Sequence, residues 1–174
     1  NINNMRRFFR GISFASIVII LFIGLMKFPE DGLINSVENS TYEVPKELKT
    51  YVDKFFRDLN NYGIYPARPQ NFVMKFSNLD SHRTTSHLHG VSYGFQDDNK
   101  VEIYINKNSW DSFNKTQKHY IVYHELSHDI LNIDDLDDSI ENYGKIMFPY
   151  ISRYNSLTMD DFIDNMNHLF SSIK

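Results

Sequence analysis

The sequence contains no cysteine, and this absence excludes several kinds of structure and chemistry. Without cysteine a chain has no disulfide, no thiolate ligand for a metal ion, no cysteine nucleophile and no cysteine that could carry a lipid. Positive charge is also scarce, because 18 Lys and Arg stand against 22 Asp and Glu, for a net charge of −4. This balance argues against a nucleic-acid-binding surface, so we expect no nucleic-acid partner.

The N-terminal residues differ in composition from the rest of the chain. Residues 11–26 form an uncharged, mostly apolar run, preceded by Arg6, Arg7 and Arg10 and followed by Lys27. A helix over this run spans about 24 Å, and the long basic side chains at its ends can reach the two interfaces of a hydrocarbon core of about 30 Å. The arginines on the N-terminal side predict that this end stays in the cytoplasm.

These features predict three regions. Residues 1–28 are expected to be a signal-anchor or transmembrane helix, residues 29–41 a polar linker, and residues 42–174 a folded domain on the extracytoplasmic side, periplasmic or extracellular. A cleaved signal peptide has the same order of charges and is the main alternative; it would give a secreted domain, but no small-residue cleavage site follows the apolar run. The aromatic content of 15% excludes a disordered chain and predicts a real core.

The domain reads as a mixture of helices and strands. A helix is predicted from Pro45 to just before Gly63, because apolar residues recur there at helical spacing. Thr158, with Asp161 three residues later, predicts the start of a last amphipathic helix. Segments rich in β-branched and aromatic residues predict three strands, at residues 72–76, 88–95 and 101–106. The expected fold class is α+β, with a small sheet that is mostly antiparallel or mixed.

The most informative stretch is His124-Glu125-Leu126-Ser127-His128. On a helix, positions four apart lie on one face, so the two imidazoles can bind one metal ion. Glu125 projects beside them and could take a proton from a metal-bound water, which is the H-E-x-x-H arrangement of zinc peptidases. Asn114 as N-cap, with Gln117 as its capping-box partner, predicts that a helix does begin just before this motif.

Such a zinc ion needs a third protein ligand and an open position for water. Asn132 is the expected end of the helix, because asparagine readily adopts the left-handed conformation of a C-cap. The chain that returns from this bend carries Asp134 and Asp135. Asp135 is preferred, since the bend fixes where the returning chain meets the metal, and Asp134 is the alternative.

Part of the chain resembles a family of small zinc metallopeptidases of the bacterial envelope. The resemblance is found at residues 101–106, Trp110, residues 123–135 and residues 146–149. That family is metzincin-like, and its motif H-E-L-G-H-C-x-L-G/N-R-x-H is followed by I-M-x-P. Aspartate stands at the last histidine of the motif, asparagine at the glycine or asparagine position, and Ser127 at the glycine within H-E-L-G-H.

The resemblance implies a minimal zincin domain with an active-site helix, a Met-turn and a C-terminal helix. It also implies that Asp135 is the third ligand and that Met147 forms the Met-turn beneath the metal. Tyr150, close after the turn, is a candidate for stabilising an oxyanion. In zincins the strand before the active-site helix is an edge strand, so the strand with Ile103 and Ile105 is expected to pair with an extended peptide substrate.

The expected function is a membrane-anchored, zinc-dependent metallopeptidase with one catalytic zinc ion and a peptide or protein substrate. Two alternatives remain open. A catalytically inactive zincin-fold protein would bind peptides at the membrane without cutting them. A metal-storage or metal-sensing module is suggested by three further histidines, His82, His87 and His89, which could hold a second metal ion, although solvated loop histidines are the simpler interpretation.

Overall fold

The structure is a computed structural model and describes residues 40–67, 69–81, 88–97 and 99–173. The predicted anchor and nearly all of the predicted linker lie outside these residues. Within them, no helix has the length and apolar character that crossing a membrane requires.

The predicted α+β class with a small mixed sheet is confirmed. The four strands are β1 (Thr41–Glu43), β2 (Asn71–Ser77), β3 (Gly90–Ser92) and β4 (Lys100–Asn106). They lie in the order β1-β2-β4-β3, with β1, β2 and β4 parallel and β3 antiparallel to β4. The parallel β1 and β2 need a crossover, which a helix provides, whereas β3 and β4 are joined by a short hairpin loop.

Within the described part of the chain, four helices accompany the sheet: α1 (Lys46–Asn61), α2 (Lys107–Ser112), α3 (Lys115–Leu131) and α4 (Met159–Ser172). Three short 3-10 turns occur at Leu79–Ser81, Ile140–Asn142 and Ile151–Ser156. The helix predicted between Pro45 and Gly63 is therefore confirmed. So is the last helix, where Thr158 and Asp161 form the N-terminal capping box.

The core lies between one face of the sheet and the helices, with α3 at its centre. Helix α3 packs against α1, α4, β3 and β4, which explains why it is buried on nearly all sides rather than along one stripe. Its two tyrosines, Tyr120 and Tyr123, are fully buried and make edge-to-face contacts with Phe162 of α4. The hydroxyl of Tyr123 remains satisfied because it donates to Asp58 of α1 at 2.6 Å.

Both ends of α3 are fixed by local interactions that the sequence predicts. Asn114 accepts the backbone N–H of Gln117 at 2.9 Å, and the Gln117 side chain accepts the N–H of Asn114 at 3.1 Å. At the other end Asn132 is left-handed, with φ of 52°. The next residue, Ile133, donates its N–H back to the carbonyl of Ser127, so the chain reverses at this point.

The prediction that residues 101–106 form an edge strand is wrong. Strand β4 is paired on both sides, by β2 and by β3, and its Ile103 and Ile105 side chains are fully buried in the core. The order of strands is set by pairing between distant segments, which local sequence patterns do not encode. Among the described strands, β3 is the one that follows β4 at the border of the sheet.

Candidate metal centre

The two histidines of the H-E-x-x-H motif face each other. His124 and His128 lie one turn apart on α3, and their Nε2 atoms are 3.2 Å apart. Both rings sit in the interior, with His124 only 6% exposed. The helical spacing therefore does what the sequence predicts and presents two imidazole nitrogens to one point.

Asp135 completes the group. Its Oδ1 lies 3.2 Å from Nε2 of His124 and 3.5 Å from Nε2 of His128. Asp134, the alternative third ligand, borders the same cleft but does not belong to this cluster. The left-handed turn at Asn132 reverses the chain so that the residue three positions later returns to the helix face.

The spacing of these three atoms fits a metal ion. Ligand atoms about 2.0–2.1 Å from a tetrahedral zinc ion lie about 3.3–3.4 Å from one another, and the three measured separations are 3.2, 3.2 and 3.5 Å. Three electron-pair donors converging at such distances repel one another unless a cation or protons lie between them. The group could therefore hold a metal ion, with the remaining tetrahedral position open to the cleft.

Backbone carbonyls orient both imidazoles. Nδ1 of His124 lies 2.9 Å from the carbonyl oxygen of Ile146, and Nδ1 of His128 lies 2.6 Å from that of Ile133. Because a carbonyl oxygen can only accept, each Nδ1 must carry the hydrogen and donate it. Each Nε2 then presents its lone pair to the site, which is the arrangement that metal-binding histidines need.

Charge in the site also matches a cation site. When no cation is bound, a proton on Nε2 can take its place and be donated to Asp135. Burial would raise the pKa of Asp135, but such hydrogen bonds from the two histidines hold that pKa well below its ordinary value. Burial opposes a charge on His128, yet the hydrogen bond to Asp135 and the nearby carboxylates outweigh it and raise the pKa of His128. The surroundings thus favour positive charge at the point where the three ligand atoms meet.

Glu125 is buried beside the cluster and packs against the backbone of β3. A Cβ atom placed on Gly90 would lie 2.4 Å from Oε1 of Glu125, so glycine at this position leaves the space that the carboxylate occupies. Burial raises the pKa of Glu125 to about 7, partly offset by the neighbouring histidines. This carboxyl group can therefore exist in both protonation states near neutral pH.

A second buried carboxylate, Asp129, fixes the hairpin to α3. It accepts the backbone N–H groups of Gly94 and Glu102, both at 3.0 Å, and the hydroxyl of Ser92. Burial raises its pKa to about 6 against the effect of these donors. Because Ser92 ends β3 and Glu102 belongs to β4, Asp129 holds the hairpin next to the residues that carry the metal site.

The segment after the site contributes both backbone and side chains. Met147 is buried in the core, and its carbonyl accepts the N–H of Leu136 at 2.8 Å. Together with the bond from His124 to the preceding carbonyl, this places the predicted Met-turn against the cluster, although the role of its thioether stays a prediction. Tyr150 is 43% exposed and borders the cleft, and its role as an oxyanion donor also stays a prediction.

The proposed second metal site cannot be assembled from the described residues. His82 and His87 lie outside them. His89 shares a hydrogen bond with the hydroxyl of Ser109 at 2.8 Å and packs against the ring of Phe113. It lies at the wall of the cleft.

The metal cluster opens into a cleft of about 780 Å³. One wall comes from residues 88–92 and Phe95, the floor from α3, and the other wall from residues 149–151. Its volume lies within the range of about 300–1,000 Å³ that is typical of ligand-binding sites. Polar and apolar groups both line it, and the metal cluster lies on its floor.

No protein-family model, curated protein or solved structure matches the chain. The resemblance to envelope metallopeptidases therefore stays a prediction, and the function has to be argued from the site itself.

Sequence reasoning missed three features of this site: Gly90, Asp129 and the carbonyl of Ile146. Asp129 could have been noticed, because it directly follows His128 on a helix with enough apolar residues to be buried on more than one side, and a carboxylate in such a place must find donors. Gly90 carries no comparable signal, since its importance comes from a side chain that is distant in the sequence. A backbone carbonyl has no sequence signature at all.

Proposed function

We propose that the chain is a zinc-dependent metallopeptidase that hydrolyses peptide bonds in extended substrates. The observation that carries the proposal is the set of His124, His128 and Asp135, whose ligand atoms have the mutual distances of a tetrahedral site, with Glu125 buried beside it. Two imidazoles, one carboxylate and an open position are typical of catalytic zinc sites rather than structural ones.

The donor types favour zinc over other common ions. Calcium and magnesium prefer all-oxygen sites with six or more ligands, whereas imidazole nitrogens suit zinc and neighbouring transition metals. Zinc bound in such a site lowers the pKa of a coordinated water to about 7 and polarises a carbonyl group.

Glu125 moves the proton in this reaction. As a carboxylate it accepts a proton from the attacking water, and as a carboxylic acid it returns that proton to the nitrogen of the departing amine. The pKa of about 7 that burial gives to this group suits both steps. A divalent cation nearby lowers this pKa, because it stabilises the carboxylate, so the loaded site favours the proton-accepting form.

Strand β3 provides a surface on which an extended peptide can lie. On either side of β3, the carbonyl of His89 accepts the N–H of Asn106, and the N–H of Tyr93 donates to the carbonyl of Glu102. The backbone groups of these two flanking residues therefore point toward β4. By the alternation of antiparallel pairing, the backbone groups of Gly90 and Ser92 point the other way. Both residues border the cleft, so a peptide paired with them passes over Glu125 and the metal cluster.

We also propose that residues 1–28 anchor the protein in a membrane, with the catalytic domain on the extracytoplasmic side. The support is the uncharged run at residues 11–26 and the arginines before it. Protease accessibility of the domain in intact and in permeabilised cells tests this arrangement. Digestion that requires permeabilisation would place the domain inside.

Two variants test the proposed chemistry. The wild-type chain should bind about one zinc ion, measured by mass spectrometry of the metal, and should cleave a mixture of internally quenched peptides. His124→Ala should lose the zinc, because one of three protein ligands is gone. Glu125→Gln should keep the zinc and lose hydrolysis, since the amide cannot take up the proton.

The pattern of results separates the candidate functions. Full activity of Glu125→Gln would show that this residue is not the base. A wild-type chain that binds zinc and peptides but never cleaves them would instead be a peptide-binding protein with the same site. More than one metal ion per chain would favour metal storage or sensing.

A further inference from the structure

Asp134 is a carboxylate that borders the cleft but does not belong to the metal cluster. Its neighbour Asp135 turns toward His124 and His128, whereas Asp134 lies at the wall of the cleft with its side chain exposed. Among the residues that the structure describes, no basic side chain or hydrogen-bond donor pairs with it. An unpaired charge beside a proposed substrate cleft has no structural role in the fold and is available to a ligand.

We propose that Asp134 selects peptide substrates that carry a lysine or arginine close to the scissile bond. This inference rests on the proposed peptidase function, and it adds a substrate class to it.

The charges that face the cleft support a cationic partner. Of the acidic side chains that border it, Asp135 would bind the metal ion and Glu125 lies beside that ion, so Asp134 is the one whose charge is left to face a substrate; none of the described side chains that border the cleft is lysine or arginine. His89 is the histidine of the cleft wall, and burial lowers its pKa, so it carries no positive charge at pH 7 that would counter Asp134. A basic substrate side chain therefore meets attraction from this wall, and an acidic one meets repulsion.

The position of Asp134 also suits a residue near the scissile bond. Its Cα atom lies about 3.8 Å from that of Asp135, the proposed third ligand. The flexible stem of lysine or arginine extends about 6 Å from the peptide backbone. A substrate whose carbonyl sits at the metal can thus bring a basic side chain to Asp134 from a position next to the cleaved bond or one residue further.

The test compares matched peptides on the full chain loaded with zinc. Internally quenched peptides differ only in having lysine, arginine, glutamine or glutamate at each of two positions on either side of the scissile bond. At one of these positions we expect kcat/KM for lysine or arginine to exceed that for glutamine by about two- to fivefold, the range of an exposed ion pair. Raising the salt from 0.05 to 0.5 M should reduce this ratio.

Asp134→Asn should bring the lysine-to-glutamine ratio close to one, and Asp134→Lys should reverse the preference in favour of glutamate. Asp138→Asn is the matched control, because it removes the same charge from an exposed residue that does not border the cleft. The control should keep the wild-type ratio. Zinc content is measured for every variant, so that a change in the metal site is not mistaken for a change in selectivity.

Two outcomes would overturn the inference: an undiminished lysine preference in Asp134→Asn, or a wild-type chain that cleaves the peptides with no preference at any position. Failure of the proposed function looks different, since the zinc-loaded wild-type chain would then cleave none of the peptides. In that case, binding of uncleaved lysine and glutamine peptides to the wild-type chain and to Asp134→Asn, measured by fluorescence anisotropy, still decides whether Asp134 attracts basic side chains.

Discussion

The position of the Glu125 carboxylate depends on the absence of a side chain at Gly90. The missing side chain leaves room for the carboxylate of Glu125, because a Cβ atom there would lie 2.4 Å from Oε1. Either the strand or the carboxylate must move if that atom is added. The three atoms nearest to such a Cβ atom all belong to Glu125, so we expect the substitution to disturb the base more than the metal ligands.

Gly90→Ala should therefore lower kcat by roughly 10- to 100-fold, because a displacement of about 1 Å at a catalytic group costs on that order. Zinc content should stay near the wild-type value. Gly63→Ala is the control, since Gly63 has a φ of 72° and nothing within 4 Å of its added Cβ; it should cost about 1 kcal/mol of stability and leave turnover unchanged. Equal activity of wild type and Gly90→Ala would mean that Glu125 is placed by something else.

The buried carboxyl group of Glu125 should also affect stability when no metal is present. In the unfolded chain it loses its proton near pH 4.5, whereas in the folded chain it keeps the proton up to about pH 7. Between these values the folded state binds more protons, so the free energy of unfolding should fall as the pH rises, by up to about 1.4 kcal/mol per pH unit. Asp129 and His128, whose pKa values are also raised, change stability in the same direction.

Urea unfolding in the presence of a chelator at several pH values between 4.5 and 7.5 measures this effect. Glu125→Gln removes the titrating group, so its stability should decline less steeply over that range than that of the wild-type chain. Parallel pH curves for the two proteins would show that Glu125 titrates normally in the folded state.

Asp129 accounts for most of the polar contact between the hairpin and α3. Asp129→Ala leaves the N–H groups of Gly94 and Glu102 and the hydroxyl of Ser92 without their acceptor. We expect a loss of about 3 kcal/mol or more in the free energy of unfolding, measured by urea with chelator present. Asp129→Asn keeps one acceptor oxygen and should lose less. A change below about 0.5 kcal/mol for the alanine variant would show that water replaces the carboxylate.

At the scale of the elements, α3 is the part of the fold that the sequence predicts best. Its N-terminal capping box and its left-handed end at Asn132 depend on residues within a few positions of one another, so the signals are local. The same locality explains why the sequence predicts that His124, His128 and Asp135 come together. Their approach follows from one helical turn and one bend rather than from packing between distant segments.

Asn132 has two tasks that substitutions can separate. Its φ of 52° is unfavourable for most residues, and its Oδ1 accepts the N–H of Gln96 at 2.7 Å. Asn132→Ala should cost about 1–3 kcal/mol of stability, because it strains the backbone and removes the bond, and it should weaken zinc binding by shifting Asp135. Asn132→Gly relieves the strain and should recover most of the zinc affinity. Competition with a chromophoric chelator measures that affinity; similar values for both variants would mean that the bond to Gln96 matters more than the backbone conformation.

At the scale of the whole molecule, local sequence signals do not predict which strands pair with one another. The prediction that residues 101–106 form a strand is confirmed, but only one of its two neighbours, the hairpin partner β3, is close in the chain; the other neighbour, β2, comes from a separate segment. Period-2 alternation cannot distinguish a central strand from a border strand when only one face is covered. The contact between Gly90 and Glu125 was missed for the same reason, since it depends on where β3 lies across α3.

The border strand β3 is only three residues long. A guest chain can form only a few main-chain bonds along such a short rim, which limits how tightly any backbone is held. For a segment that already belongs to a sheet or helix of a folded protein, the free energy of binding to β3 is too small to compensate for unfolding that segment. If the protein is the peptidase we propose, it should cleave disordered termini, broken loops and partly unfolded polypeptides, and it should not cleave well-folded proteins.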